Sequence, residues 1–444
     1  MKFSSRFTIS FLPDSFIFAI LIFDKNHPDF FLIDCVNMFM SISFDNTENA
    51  FDYKPTRELK RAQLLFSSMS YQWLIKAGTW LTPLAIKSGL PINGLIRNTI
   101  FKQFVGGETL EETAVVAKRL DKYGVQVILD YGVEGKEGEK NFDHSAEQFI
   151  RVVDYASTQP NMPFISIKVT GFARFSLLEK MNEAASSRHG YEGIIPDHIF
   201  TEAEKDEWKR VVLRMEKIIE NAAKKNVGVL IDAEESWIQD PVDALTMLMM
   251  EKFNKTKVVV YNTIQLYRVD RLQFLKDSFQ QSEKKNFLLG AKLVRGAYME
   301  KERAKAVAKN YPSPIQENKV STDSDYNSSI DFCIGQINKI STIVASHNEF
   351  SNLYAVQLLL KNQLPLNHPN IHFSQLYGMS DNITFNLAKE ACSVSKYLPF
   401  GPIKEVIPYL MRRAQENSSV KGQTGRELAL IKKELKRRKI NNVK

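Results

Sequence analysis

VGVLIDA (residues 227–233) is a short apolar, β-branched run that ends on a carboxylate, Asp232. Seven further runs repeat the pattern: VQVILDY (125–131), FISIKVT (164–170), KVVVYNTIQ (257–265), LGAKLVRG (289–296), STIVAS (341–346), IHFSQLY (371–377) and KYLPFG (396–401). Runs of this length and composition favour strands, and every spacer between them is long enough for a helix. Eight strand–helix units in series predict an α/β fold, a (β/α)8 TIM-type barrel, which typically takes ~250 residues. In such a barrel the residues at the C-terminal strand ends carry the chemistry. Here those positions hold Asp130, Lys168, Asp232, Gln265, Arg295, His347, Leu376 and Tyr397. The pattern is that of an enzyme.

At 444 residues the chain holds one barrel with additions at either end. Three cysteines, Cys35, Cys333 and Cys392, show no metal-ligand spacing, which speaks against a disulfide framework and for a reducing compartment. The net charge of +8 is concentrated: residues 426–444 carry eight basic side chains against two acidic ones, leaving the rest at only +2. With the remainder so nearly balanced, no nucleic-acid partner is expected. FIFAILIF (16–23) is far shorter than the ~20 apolar residues that span a bilayer. Lys2 and Arg6 precede it as in a signal peptide, but Pro13 and Asp14 interrupt the approach and no small-residue cleavage site follows.

The expected organisation has four parts. Residues 1–39 read as a disordered or artefactual extension, and 40–117 as a helical arm in which Pro83 punctuates the helices of 56–87. Thr109-Leu-Glu-Glu112 is a capping box for a helix closed by Gly124. Residues 118–418 form the catalytic barrel, and 419–444 a basic tail helix. Between strands two and three the spacer is too long for one helix. It predicts an irregular excursion around 188–196, either a lid or a surface insertion, followed by a helix over 201–225.

Several constellations bear on chemistry. In YLMRRAQEN (409–417), positions 409, 412, 413 and 416 share one helix face through i+3 and i+4 spacing. Two guanidinium groups, a partner carboxylate and a phenol on that face suit a carboxylate ligand, because arginine's planar fork binds carboxylates bidentately. A solvated face with one ion pair is the plainer alternative, weakened by the helix's place after strand eight, over the barrel mouth. Lys168 and Asp232 end neighbouring strands and are expected to pair, as a site or as a structural ion pair. KLVRGAY (292–298) puts two cations and a glycine where strand five leaves the barrel, and only one of Lys292 and Arg295 can point down the axis. Cations with exposed amides suit an anionic group such as a pyrophosphate. Neither G-x-G-x-x-G nor a P-loop occurs, and the histidines do not cluster, so no metal site is expected.

KLVRGAY (292–298), IDAEE (231–235), SHN (346–348), YLPFGP (397–402) and YLMRRAQEN (409–417), in this order, resemble the proline dehydrogenase family from about Phe104 to the tail. The continuation through Asn417-Ser-Ser419 to Arg426-Glu-Leu428 is similar to the mitochondrial-type branch. The resemblance implies a distorted (β/α)8 barrel with FAD at its C-terminal face. It implies oxidation of L-proline to Δ1-pyrroline-5-carboxylate, with electrons passed to a membrane quinone. By motif, Arg412 and Arg413 bind the proline carboxylate, joined by Lys168, and Leu376, Tyr397, Tyr409 and Tyr298 wall the ring. Asp232, paired with Lys168, and Lys292, near the flavin, are the residues marked as catalytic. Ala233, Gln265, Arg295, Gly296 and Ala297 are expected at FAD, as are Lys292, Lys319, Ser346 and His347. Glu416 is expected beside both ligands. Many bacterial members carry arginine where Lys292 stands; the charge is kept and the bidentate geometry is not.

The same resemblance implies a monofunctional enzyme whose product passes to a separate pyrroline-5-carboxylate dehydrogenase. Retention of Tyr397 favours proline over hydroxyproline. The tail over 426–439 carries an apolar stripe of Leu428, Ile431 and Leu435, which suits packing on the barrel, while its basic face suits peripheral contact with anionic lipid. The implied location is cytoplasmic, at the inner face of a bacterial membrane, or the mitochondrial matrix and inner membrane in a eukaryote. Two alternatives remain: an FAD barrel of the methylenetetrahydrofolate reductase type, against which the double-arginine helix speaks, and a peripheral membrane or RNA-binding protein with an inactive barrel.

Overall fold

A computed structural model describes residues 42–71, 92–132, 137–185, 199–419 and 423–441, with Trp73, Gly78 and Trp80. The extension over 1–39 and the excursion around 188–196 lie outside the described residues, as does Pro83. Eight parallel strands close a barrel in sequence order: β1 (Gln126–Tyr131), β2 (Phe164–Ile167), β3 (Gly228–Ile231), β4 (Val260–Gln265), β5 (Leu289–Val294), β6 (Ile340–Ala345), β7 (Ile371–Leu376) and β8 (Val394–Phe400). Each falls in one of the eight runs or overlaps it. Strands β2 and β3 stop earlier than their runs, because a 3-10 turn (Val169–Gly171) and the loop after Ile231 take over.

Alternation places every second side chain inside. Ile128, Leu230, Tyr261 and Ile343 form an inner cluster, against which Phe164, Ala345 and Tyr397 pack. Leu129, Ile165, Val229 and Ile231 point out into the larger core beneath the helices. Carried one step past these outward residues, the alternation turns Asp130 and Asp232 inward at the C-terminal mouth. Gly228 makes room for the barrel floor, since a Cβ there would lie 2.4 Å from the Phe164 ring.

Helices fill the spacers. The capping box Thr201–Glu204 opens helix Glu202–Lys224, with both reciprocal bonds made. Thr109 also accepts from the Glu112 amide, but the Glu112 carboxylate caps Glu108 instead of Thr109, so that box is half closed. Helix Leu110–Asp121 crosses residue 117 and packs on β1 and β8. Among the described residues, no helix is long and apolar enough to cross a membrane.

A second apolar cluster explains the arm. Phe51, Leu59, Phe66 and Met69 of its helices Thr47–Phe51 and Thr56–Met69 pack with Phe101 and Phe104. Together they meet Val406, Tyr409 and Leu410 of helix Ile403–Ser419 and Leu430, Ile431 and Leu435 of the tail helix Gln423–Asn441. The arm therefore bears on the helix that carries Arg412 and Arg413. Much of the tail's basic charge is consumed internally: Arg438 donates to the Phe51 and Lys54 carbonyls, and Glu434, fully buried, takes Arg437 and Arg438. Lys432, Lys436 and Lys439 remain exposed.

Candidate active site

Asp232 is the hub of the mouth. It accepts from Lys292 Nζ at 2.5 Å and Ser166 Oγ at 2.7 Å on one oxygen, and from Tyr397 Oη at 2.7 Å on the other. The expected Lys168–Asp232 ion pair is replaced by Lys292–Asp232, because β3 and β5 both turn these side chains inward and the Asp232 oxygens are already filled. Burial pushes Asp232 up, yet the charge and hydrogen bond of Lys292, with Lys168 and Ser166, outweigh it and hold the carboxyl below its ordinary range. Asp130, also inward, sits beside it. Burial and then the Asp232 charge push Asp130 up to about 6, against Lys168, Tyr397 and Lys292. Lys168 is held firmly charged by Tyr298, Glu234 and Asp130, against its burial and the nearby Arg412. Glu234 is itself clasped by the Thr170 hydroxyl at 2.8 and 2.9 Å.

Helix Ile403–Ser419 closes the mouth from above. Arg413 donates to Glu416 at 2.6 Å and lies 5.2 Å from the Tyr409 ring centroid. Arg412 acts electrostatically on Lys168, Tyr298, Tyr409 and Glu416, so these side chains converge on one space. The Tyr409 hydroxyl is buried and has no hydrogen-bond partner among the described residues. Leu376 packs against the apolar cluster that includes Tyr409. Lys292 Nζ lies 5.2 Å from the Tyr397 ring centroid, which makes that ring part of the same wall.

A third group lines the ends of β4, β5 and β6. The Gln265 side-chain oxygen is buried without a partner among the described residues, while its nitrogen donates to the Glu234 carbonyl at 2.9 Å. Arg295 spends three of its five donors on Asp323, Ser346 Oγ and Ser351 Oγ, at 2.7–2.9 Å. Lys319 joins the same Asp323. Gly296 sits at φ +136°, where a Cβ would strike the Tyr267 ring at 2.4 Å, so glycine is required. Ala297 is exposed beside it, and Ala233 is half-buried just after Asp232. His347 pairs through Nδ1 with Ser380 Oγ at 2.9 Å. Burial, then the charges of Lys396, Arg413 and Arg295, lower it to about 3, so the ring is neutral. No cluster of three or more metal-ligating side chains occurs among the described residues.

All the residues expected at the site thus lie at this face of the barrel. Sequence reasoning missed Ser166, Glu234 and Thr170, and for Asp130, named there as a strand-end residue, it did not foresee the place beside Asp232. Alternation alone points Asp130 and Ser166 inward. The Glu234–Thr170 contact joins two loops and leaves no local signal.

A closed parallel barrel with buried, charged strand ends under a double-arginine helix is a (β/α)8-barrel enzyme. The family model described as proline dehydrogenase matches residues 114–426, and the chain belongs to that family. Proline dehydrogenase 1, mitochondrial, of Dictyostelium discoideum is 34% identical over 426 residues, covering 88% of this chain and 74% of that protein. Hydroxyproline dehydrogenase of Xenopus laevis is 30% identical over 417 residues, covering 88% and 89%. Among solved structures, proline utilization A from Bdellovibrio bacteriovorus shares the fold with a TM-score of 0.63 at 20% identity, covering 87% of this chain. The chain spans 37% of that longer protein.

Proposed function

We propose that this chain oxidises L-proline to Δ1-pyrroline-5-carboxylate, with FAD as the bound hydride acceptor and a quinone as the onward electron acceptor. Family membership supports the activity. The observation that carries the site assignment is the convergence of Lys168, Arg412 and Arg413 over Tyr298, Tyr409 and Tyr397 at one mouth. A substrate carboxylate meets three cations there, and the ring meets Leu376 and the phenols. Holding a substrate in reactive orientation is the main task of such a site. Asp232 orients Tyr397 and Lys292 through direct hydrogen bonds.

The residues present fit a flavin. A buried, unpartnered carbonyl oxygen such as that of Gln265 costs on the order of 1–3 kcal/mol unless a donor reaches it, and a flavin ring edge supplies one. Arg295 keeps two donors for a phosphate group, and Ser346, Gly296, Ala297 and Lys319 surround that end. His347, Ala233 and Glu416 complete the set. Gln265, Arg295 and Ser346 would hold FAD, which would supply the hydride acceptor for the ring carbon next to nitrogen, with the proton from that nitrogen lost to solvent. Lys292, ion-paired with Asp232 beside Tyr397, would stand near the flavin ring and would favour its electron acceptance.

The Xenopus relative named for hydroxyproline makes that substrate the second reading, and the Tyr397 wall favours proline. Anaerobic addition of L-proline to the purified, FAD-loaded chain bleaches its visible flavin band, and hydroxyproline does so more slowly. A band unmoved by proline overturns the assignment, and faster bleaching by hydroxyproline reverses the preference. The mitochondrial relatives support a matrix or inner-membrane location in a eukaryote. The exposed Lys432, Lys436 and Lys439 support peripheral contact with anionic lipid, each lysine adding about 1 kcal/mol. Liposome co-sedimentation unchanged on replacing all three with glutamine removes that contact. The product, a cyclic imine, passes to a separate dehydrogenase. The division into arm (40–117), barrel (118–418) and tail (419–444) is part of the same proposal.

A further inference from the structure

Outside the mouth, a second buried group of charges ties the tail helix to the barrel. Glu427, on the tail helix, is buried and accepts the backbone N–H of Ser380. Ser380 is a non-glycine residue at φ +50° and ψ +44°, a left-handed conformation that costs roughly 1–2 kcal/mol and needs support from its surroundings. Its hydroxyl is the partner of His347 Nδ1, at 2.9 Å. The neighbouring tail residue, Arg426, grips the connection after β6, where helix Glu349–Lys361 begins: it donates to both oxygens of Glu349, at 2.8 and 3.1 Å, two residues beyond His347. Asn382 donates to that carboxylate as well, at 2.8 Å. Two consecutive tail residues therefore hold both loops that frame the imidazole. The groups facing Glu427 are Asp381, Lys396 and Lys54.

We propose that Glu427 is a positioning residue for His347: it fixes the strained Ser380 backbone from the tail helix, and Ser380 fixes the imidazole at the end of β6. The consequence for cofactor binding rests on the flavin reading above; the positioning itself does not.

Two measurements on the full chain test it, hydrogen exchange and FAD affinity. In Glu427→Ala, exchange over 346–350 and 378–384 rises about tenfold, as loss of one buried hydrogen bond implies, while β3 keeps its protection. The FAD dissociation constant rises by a similar factor. Glu427→Gln, which keeps the acceptor oxygen, stays within about twofold of the parent in both. Ser380→Ala, which keeps the N–H for Glu427 and loses only the hydroxyl, weakens FAD to the same degree and serves if Glu427→Ala does not fold. In a His347→Ala background, Glu427→Ala costs no further FAD affinity, because the two act in series. Unchanged exchange in both loops overturns the proposal, as does an undiminished FAD effect in the His347→Ala background. If the exchange pattern is found and the parent chain binds no FAD, the positioning stands and the flavin reading falls.

Discussion

Two buried charge clusters in this molecule have the same composition, two lysines and two carboxylates, and opposite characters. At the mouth, Lys168 and Lys292 meet Asp130 and Asp232; under the tail helix, Lys54 and Lys396 meet Asp381 and Glu427. The tail cluster is ion-paired within the protein, although the Asp381 oxygen that faces Lys396 makes no well-directed hydrogen bond among the described residues. Asp381 takes Lys54 and Tyr53, each at 2.8 Å, and Lys396 at 2.9 Å, while Lys396 also donates to the Met379 carbonyl. The mouth cluster is more open: among the described residues Lys168 has charged neighbours but no direct carboxylate hydrogen bond, and the Gln265 and Tyr409 oxygens at this face lack partners. A cluster ion-paired within the protein holds elements together, and a more open one waits for a ligand. Substitutions should therefore cost stability in the first and function in the second.

The largest effect is expected at Asp381. Asp381→Ala leaves Lys54 and Lys396 buried without their carboxylate, a loss on the order of 3–5 kcal/mol in chemical denaturation. A cost below about 1 kcal/mol would mean the tail cluster is not what joins arm, β8 and tail helix.

Next comes the arginine pair. Arg412→Ala or Arg413→Ala should raise the apparent KM for L-proline roughly 30-fold, the equivalent of about 2 kcal/mol for a charge-assisted contact, with FAD retained. An unchanged KM in both removes the carboxylate clamp.

A gain in stability is expected from Asp130→Asn. A carboxyl raised to about 6 binds its proton more tightly folded than unfolded. Its contribution is fully present below the unfolded value of about 4 and is lost as pH rises through about 6. Asparagine should thus stabilise the chain by on the order of 2 kcal/mol at pH 8 and hardly at all near pH 4, read as thermal midpoints. Equal shifts at both values would show that Asp130 carries no buried charge. His347 has the opposite sign: lowered to about 3, it supports the fold above about 6.5 and loses that support as pH falls towards 3.

The contrast also marks what the sequence could and could not reveal. Each strand announces itself by local composition, and alternation sends Asp232 and Lys292 inward; both are properties of a few adjacent residues. Which inward groups pair is a property of the closed barrel. Asp232 passes over Lys168 on the adjacent strand for Lys292 on β5, two strands away, because that lysine reaches across the interior. The arm helix is legible as amphipathic, but its bed, helix Ile403–Ser419, lies more than three hundred residues along the chain. Glu427 reads as an ordinary tail carboxylate, and only the folded tail brings it to Ser380.

The open mouth cluster as the proline site is tested most directly by an anaerobic titration of the FAD-loaded chain beside its Arg412→Ala/Arg413→Ala double variant. The expected result is a flavin band that bleaches with L-proline in the parent and persists in the variant, both holding FAD equally. Equal bleaching at equal proline concentrations would contradict it, and would place the substrate somewhere other than beneath the double-arginine helix.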